Sequence, residues 1–319
     1  MKRSLHHYGP AWVGSGTRGF AKEGYWYHEY LPKDLFEGST FVAKTITARY
    51  HKGNMPLVPF HHTPAETFPE CIYVDPVRGL ALNSVGLSNP GVQEFMLHNR
   101  WQRIREPFFL SFMTISNVEE EYIEETRFFV WALKRWLPDF DSRKVALQLN
   151  VTCPNVKADT SNVVKKALTQ LSLLAEVNMP IVVKLNLLVT PEEAATIAEH
   201  PACDGICIAN TVPFGTHYPK EYWEKSFPKG SPLLERNEDF GGGGLSGKPL
   251  FFEVVDWLRR FRRIDRCTYV NAGGGILHPR DVELLFEEGA NSISFASVVM
   301  LRPWRVPGII ATAHALTEH

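Results

Sequence analysis

The sequence predicts an α/β protein, a closed (β/α)8 barrel of the TIM type with insertions at the C-terminal face of its strands. Short apolar runs alternate with longer segments of helical period along the 319 residues, and no Pro/Gly/Ser-rich linker divides them. Eight such runs are typical of strands, and strands alternating with helices in that number favour a closed parallel barrel over an open sheet. We therefore expect one domain over residues 1–319.

The individual elements follow from the same periodicities. The predicted strands are Ala11–Gly14, Thr40–Ile46, Phe108–Met113, Val145–Asn150, Ile181–Asn186, Gly205–Ala209, Thr268–Ala272 and Ser292–Phe295. The predicted helices are Pro90–Ile104, Glu119–Trp136, Ser161–Ala175, Pro191–His200, Pro249–Arg263, Pro279–Glu288 and Pro303–Leu316. Two stretches, His51–Leu82 and Thr211–Gly244, exceed a minimal barrel, and both follow strand ends, where active-site insertions belong.

Composition and charge exclude several classes of protein. The hydrophobic fraction is 44%, the charged fraction 22% and the net charge -1, so no basic field indicates nucleic acid or anionic lipid as a partner. The five cysteines form no CxxC pair, which argues against a disulfide framework, a zinc site or an iron–sulfur cluster. No secretory signal or membrane-length apolar stretch is evident, so we expect a cytoplasmic protein without membrane insertion and without a metal.

A polar turn follows the strand at Val145–Asn150. Alternation along that strand places apolar side chains on one face and Gln148 and Asn150 on the other, as expected of a barrel strand covered by helices. Pro154 breaks the strand and leaves Cys153 at its mouth. A thiol there suits a base or nucleophile if its ionisation is eased, and it equally suits a small apolar residue in an ordinary loop.

Polar residues recur at the ends of other predicted strands. Lys44 shares a strand face with Val42, Lys184 shares one with Val182, and Asn210 follows the strand at 205–209. Because lysine is rarely buried without a partner, an anionic, hydrogen-bonding ligand at this mouth would explain the set. The alternative is a register shifted by one residue in each strand, with the lysines among the helices.

Glycine loops at the last two strands predict a phosphate site. Asn271–Ile276 follows the seventh strand and Phe295–Ser297 follows the eighth, the loops that recurrently bind phosphate in barrels. Glycine lets backbone N–H groups approach an anion closely. The run Gly241–Gly247 precedes a predicted helix and could line the same cavity, although such a run is often a plain turn.

Seven motifs occur in the order seen in dihydroorotate dehydrogenases. They are Phe-Val-Ala-Lys-Thr at 41–45, Leu-Asn-Ser-Val-Gly-Leu-Ser-Asn at 82–89, Asn-Val-Thr-Cys-Pro-Asn at 150–155, Val-Lys-Leu at 183–185, Ala-Asn-Thr at 209–211, Gly-Gly-Leu-Ser-Gly-Lys-Pro-Leu at 243–250 and Gly-Gly-Ile at 274–276. The chain resembles that family from about Gly14 to Trp304. The resemblance implies an FMN-containing barrel that oxidises dihydroorotate to orotate in pyrimidine biosynthesis. A homodimer is the assembly to test for this chain.

The resemblance also implies roles for individual residues. Cys153 matches the base of the soluble, cysteine-type class, and Lys184 matches the lysine beside the electron-accepting edge of the flavin. The implied substrate contacts are Lys44, Asn83, Val85, Gly86, Leu87, Asn150, Asn155, Asn210 and Thr211. The implied FMN contacts are Ser15, Gly16, Lys44, Thr45, Asn150, Lys184, Gly247, Gly274, Gly275, Ala296 and Ser297.

Small departures from the family pattern leave the electron acceptor open. Val85 stands where soluble members often have Met, Ala272 replaces the first Gly of the usual GxGG, and Ala296-Ser297 replaces Gly-Thr or Tyr-Thr. Fumarate, NAD through a partner subunit and a quinone all remain acceptors to test. The alternative functions are a related FMN barrel enzyme acting on another cyclic amide, a Schiff-base barrel lyase using Lys184 or Lys44, and a barrel that binds flavin or phosphate without catalysis.

Overall fold

The structure is a computed structural model that describes residues 2–140, 144–152, 160–208 and 210–318. Its strands are β1 (Ala11–Val13), β2 (Thr40–Val42), β3 (Ile72–Asp75), β4 (Leu80–Asn83), β5 (Phe108–Phe112), β6 (Val145–Asn150), β7 (Ile181–Leu185), β8 (Gly205–Ile208), β9 (Val212–Pro213), β10 (Gly244–Gly247), β11 (Tyr269–Gly273) and β12 (Ser292–Phe295).

Helices separate most of these strands. They are α1 (Val92–Leu97), α2 (Glu119–Trp136), α3 (Thr160–Leu174), α4 (Pro191–Ala198), α5 (Lys220–Ser226), α6 (Pro232–Arg236), α7 (Phe251–Ile264), α8 (Pro279–Glu287), α9 (Ser297–Leu301) and α10 (Val306–Ala315). Short 3-10 helices span His6–Tyr8, Trp26–Tyr30, Leu137–Asp139, Ala175–Val177, Glu238–Phe240, Lys248–Leu250 and Pro303–Arg305.

Eight parallel strands close into a barrel, which confirms the predicted fold class. Their order around the barrel is β1-β12-β11-β8-β7-β6-β5-β2. Each strand end therefore lies at the same rim as its neighbours' ends, where a barrel carries its active-site loops. The second strand is shorter than predicted: after Val42 the chain leaves the regular ladder and only Ile46 rejoins it, through a bridge to Phe112.

The inner face of the barrel is apolar at its base. Trp12, Val42, Phe109, Ala146 and Val182 pack there in one cluster, which Leu5, Tyr8 and partly buried Tyr269 extend. Their neighbours in sequence, such as Phe41 and Val183, belong instead to the larger core between barrel and helices. The predicted alternation of inward and outward side chains is therefore correct for the strands that carry Val42, Ala146 and Val182.

A second sheet lies outside the barrel and comes from the two predicted insertions and the residues that directly follow them. Its strand order is β3-β4-β10-β9, with antiparallel pairing of β4 to both β3 and β10. Ser246 pairs with Ala81 and Gly244 with Asn83 in that register. The run Gly241–Gly247 is typical of a flexible turn, but its second half, Gly244–Gly247, is a strand, because pairing on both sides compensates for the low strand propensity of glycine.

The first predicted helix is much shorter than expected. Helix α1 ends at Leu97, and Asn99 adopts a positive φ of 52° soon after, a conformation that stops a right-handed helix. The following Trp101 is fully buried and donates from Nε1 to the carbonyl of Phe20 at 2.6 Å. Among the described residues, no helix is long and apolar enough to cross a membrane.

Candidate active site

One cavity at the C-terminal rim of the barrel collects the residues that the sequence analysis singled out. Seventeen of them line it: Ser15, Gly16, Lys44, Thr45, Asn83, Val85, Gly86, Leu87, Asn150, Lys184, Asn210, Thr211, Gly247, Gly274, Gly275, Ala296 and Ser297. Cys153 and Asn155 lie outside the described residues. The individual roles stay predictions, but the two predicted sets, for substrate and for cofactor, share one cavity.

Two carboxamides meet at the centre of this cavity. Asn210 Nδ2 donates to Asn150 Oδ1 at 2.9 Å and also to the backbone carbonyl of Thr152. The Asn210 Oδ1 atom accepts from the amide of Thr211 at 3.1 Å. Both asparagines are more than nine-tenths buried. Their orientation is thus fixed before a ligand binds, as required of groups that align a planar ring with several N–H and C=O groups.

A backbone turn beside β4 presents amide groups to the cavity. Gly86 and Leu87 have positive φ values of 64° and 58°, so the chain turns sharply where it lines the cavity. The carbonyl of Val85 accepts from Asn54 N at 2.9 Å, and that of Leu87 accepts from Asn89 Nδ2 at 2.6 Å. Within the described chain, the amides of Val85, Gly86 and Leu87 donate to no acceptor, so they suit an anion such as a carboxylate.

Lys44 adds a positive charge next to this turn. Its Nζ donates to the carbonyl of Ser88 and lies 4.7 Å from the centre of the Phe20 ring. Burial lowers the pKa of Lys44 to about 7, against the opposing effect of Cys71 and Glu23. Its ammonium form is therefore poorly stabilised without a ligand, and a bound carboxylate would stabilise it.

Lys184 is the second cation of the cavity. It is opposite Asn150 in the register of β6 with β7 and opposite Cys207 in that of β7 with β8. Burial raises the pKa of the Cys207 thiol to about 11, although Lys184 and a hydrogen bond from Ser294 favour its thiolate. Among the described residues lining the cavity, Lys44 and Lys184 are the charged ones, so the cavity favours negative ligands.

The glycine loops that line the cavity fit a phosphate. Gly275 has a φ of +84°, and a Cβ there would overlap the carbonyl oxygen of Gly247. Gly247 has a φ of +101°, and a Cβ there would overlap the carbonyl oxygen of Gly79. Only glycine permits these contacts, which bring the loop after β11 against β10. Such a cradle of backbone, together with Ala296 and Ser297, has the chemistry that a terminal phosphate of FMN needs.

The cavity also contains residues that the sequence analysis did not assign to the site. Gln148 and Cys207, which belong to barrel strands, line it, and so do Tyr25 and Tyr27 from the segment after β1. The alternation of β6 had placed Gln148 on the inner face, a signal that could have identified it. Tyr27 belongs to the 3-10 helix after β1 and Tyr25 precedes its first residue, and no local pattern indicates that this segment reaches the cavity.

Comparisons with known proteins agree with this geometry. Residues 10–312 match the family model described as dihydroorotate dehydrogenase. The chain is 28% identical over 312 residues to the catalytic subunit of dihydroorotate dehydrogenase B (NAD(+)) of Oceanobacillus iheyensis, covering 94% of this chain and 87% of that protein. It is 28% identical over 318 residues to dihydroorotate dehydrogenase A (fumarate) of Lacticaseibacillus paracasei, covering 97% and 94%.

A solved structure supports the fold alone. The crystal structure of the Eimeria tenella enzyme DHODH in complex with ferulenol superposes with a TM-score of 0.65 at 17% identity, covering 97% of this chain and 81% of that one. The family model covers nearly the whole chain, from just before β1 to within α10. The chain therefore belongs to the dihydroorotate dehydrogenase family.

Proposed function

We propose that this protein is an FMN-dependent dihydroorotate dehydrogenase, one FMN-binding unit that oxidises dihydroorotate to orotate. The observation that carries the proposal is the meeting, in one cavity, of the Asn150–Asn210 pair, the anion-binding turn at Val85–Leu87 and the glycine cradle at Gly247 and Gly275. The first two suit a cyclic amide with a carboxylate, and the third suits a phosphate. The family match and the names of the relatives support the same reading.

The substrate would be held by its carboxylate and its ring amides. The ammonium of Lys44 and the backbone amides of Val85–Leu87 bind the carboxylate. Lys44 supplies the positive charge, and the amides supply N–H groups that have no acceptor within the described chain. Asn83, Asn150 and Asn210 orient the ring, since carboxamides both donate to C=O groups and accept from N–H groups. Fixing the ring in this way aligns its C5–C6 bond before reaction.

The oxidation removes a proton from C5 and a hydride from C6, and the electron pair of the C5–H bond becomes the new C5=C6 bond. When bound, FMN supplies the hydride acceptor. Cys153 takes the C5 proton in this proposal; it follows Thr152, whose backbone carbonyl accepts from Asn210 in the cavity. Lys184 stabilises the negative charge that accumulates on the acceptor side of the cavity.

Anaerobic titration tests the proposal. The purified protein should carry a flavin that is released on denaturation and chromatographs as FMN, and dihydroorotate should bleach it. Fumarate, NAD and a quinone are then added separately, and the one that restores the colour identifies the acceptor class. If the protein is colourless and borohydride, added with substrate, fixes the substrate covalently on Lys184, the function is that of a Schiff-base lyase instead. A bound flavin that dihydroorotate does not reduce would exclude dihydroorotate as the substrate.

A further inference from the structure

A continuous set of hydrogen-bonded side chains crosses the barrel interior beneath the cavity. We call it the polar belt; its members are Ser15, Thr45, Ser111, Gln148, Cys207, Asn271 and Ser292. It includes residues from five barrel strands and the loops after β1 and β2. Below it lies the apolar cluster of Trp12, Val42, Phe109, Ala146 and Val182.

Gln148 occupies the middle of the polar belt. Its Oε1 accepts from Ser111 Oγ at 3.3 Å, and its Nε2 donates to Cys207 Sγ at 3.8 Å. The Cys207 thiol in turn donates to Asn271 Oδ1 at 3.2 Å. Gln148 is 2% exposed and faces the cavity, so its carboxamide is held in one orientation, away from bulk water.

Every member of the polar belt is electrically neutral at neutral pH. Burial raises the pKa of Cys207 to about 11, so the thiol keeps its proton. A cation, Lys184, is opposite Cys207 in the register of β7 with β8. A charge in this layer would interact strongly with a ligand above it, because the apolar cluster beneath leaves little to screen it.

We propose that Gln148 keeps its part of the cavity surface neutral, so that no side chain at this position opposes negative charge on a bound flavin. This inference deepens the proposed function and rests on FMN binding there. A hydride brings two electrons and one proton to the cofactor, so the reduced form carries one additional negative charge. An acidic side chain at position 148 would oppose that charge, whereas the carboxamide of the same shape does not.

The central experiment compares Gln148→Glu with wild type in the FMN-loaded protein. Sulfite is the probe, because its sulfur lone pair forms a bond to flavin N5 and the adduct places negative charge on the ring. We expect sulfite to bind at least tenfold more weakly to Gln148→Glu, with a flavin midpoint potential about 30 mV lower, the two-electron equivalent of tenfold. Both differences should shrink at acidic pH, where the introduced carboxyl is protonated, which a merely structural defect would not produce.

Three further variants separate charge from packing. Gln148→Met removes the hydrogen bonds without adding charge and should change sulfite affinity less than Gln148→Glu does. Cys207→Asp adds a carboxylate at the next member of the polar belt, the hydrogen-bond partner of Gln148, and should weaken sulfite binding as Gln148→Glu does. Gln102→Glu is the matched control, since Gln102 donates to the carbonyl of Met96 outside the cavity and should leave the flavin unchanged.

The outcomes separate this inference from the proposed function. A wild-type protein that binds no FMN removes the proposed function and this inference with it. A wild type that binds FMN, with Gln148→Glu equal to it in sulfite affinity and potential, overturns the inference alone. If Gln148→Glu and Cys207→Asp both lose FMN while Gln148→Met retains it, the inference is supported, because the added negative charge then weakens binding of the flavin itself. Equal loss in Gln148→Met and Gln148→Glu would assign Gln148 to packing and overturn it.

Discussion

Asn210 Nδ2 and Asn150 Oδ1 are 2.9 Å apart, a hydrogen bond between the ends of two strands that are not neighbours. Strand β7 lies between β6, which ends at Asn150, and β8, which precedes Asn210. The bond therefore spans the rim of the barrel above Lys184, the residue of β7 that is opposite Asn150. It holds the two carboxamides and Thr152 in place relative to one another, because Asn210 also donates to the carbonyl of Thr152.

The first prediction is that Asn210→Asp disrupts this site without disrupting the fold. The substitution replaces a donor by a carboxylate oxygen facing two acceptors, Asn150 Oδ1 and the carbonyl of Thr152. Leaving buried polar groups unsatisfied costs about 1–3 kcal/mol, and more when one is charged. Orotate, titrated against the flavin spectrum, should bind roughly ten- to hundredfold more weakly, and more tightly again as pH falls and the carboxyl is protonated.

Asn99→Asp provides the control for Asn210→Asp. Asn99 is exposed and has a positive φ of 52°, a conformation that aspartate also adopts, and it is remote from the cavity. This variant should bind orotate as the wild type does. If Asn210→Asp binds orotate with unchanged affinity at neutral pH, the carboxamide pair has no part in ring recognition.

The second prediction concerns pH and Lys44. Because burial lowers the pKa of Lys44 to about 7, the empty cavity loses this positive charge as pH rises through that value. Carboxylate binding needs the ammonium form, so binding of orotate takes up a proton above pH 7. The dissociation constant should be flat at lower pH and then rise by up to about tenfold for each pH unit.

Lys44→Arg tests whether this group causes the slope. Arginine stays protonated across the range, so the variant should lose the pH dependence even where its affinity at pH 7 is lower. Calorimetry in two buffers of different ionisation enthalpy should show proton uptake with wild type at pH 8 and much less with Lys44→Arg. Parallel pH profiles for the two proteins would remove Lys44 from carboxylate binding.

Much of the fold could be predicted because its signals are local. Alternation along Val145–Asn150 and Ile181–Leu185 places side chains on one of two faces, and closure of the barrel then brings the inward polar ends together. The cavity that contains Asn150, Lys184 and Asn210 follows from those registers. Seven of the eight barrel strands lie where the sequence places them, within one residue at each end, whereas β2 ends at Val42 instead of Ile46.

The remaining features depend on contacts between distant segments. The strand at Gly244–Gly247 has low propensity and exists because β4 and β9 pair with its two edges. The early end of α1 follows from the burial of Trp101 beneath Phe20, about eighty positions earlier in the chain. Tyr25 and Tyr27 reach the cavity by long-range packing in the same way, so a pattern within a short window cannot identify them.

The third prediction is that Gly247→Ala separates the sheet from the phosphate cradle. An added methyl group would overlap the carbonyl oxygen of Gly79 and lie 2.9 Å from the Cα of Leu80, both of which are backbone. The pairing of β10 with β4 must then shift, and the Gly275 loop that approaches Gly247 shifts with it. We expect FMN content after purification to fall by about tenfold or more, with a lower midpoint of denaturant unfolding.

Gly215→Ala is the matched control for backbone strain. Gly215 has a φ of +79°, but no atom lies within 4 Å of a Cβ built there. Its substitution costs only the left-handed conformation, about 1–2 kcal/mol, and FMN content should stay at the wild-type level. If Gly247→Ala retains FMN as well as Gly215→Ala does, the close approach of these loops is not needed for the cofactor.

The last prediction is that Cys153 is the base that removes the C5 proton. Cys153 directly follows Thr152, which is 3% exposed and is bonded through its carbonyl to Asn210. Reduction of the flavin by dihydroorotate, followed anaerobically by stopped flow, should be roughly 10²–10⁴-fold slower in Cys153→Ala. The variant should stay yellow and bind orotate, because the groups that recognise the ring and the carboxylate are unchanged.

Cys153→Ser should retain some activity and need higher pH, since a hydroxyl is a weaker acid than a thiol. Cys267, an exposed cysteine, supplies the control, and Cys267→Ala should reduce its flavin at the wild-type rate. Should Cys153→Ala match that rate, the proton is taken by another group and the thiol is a packing residue.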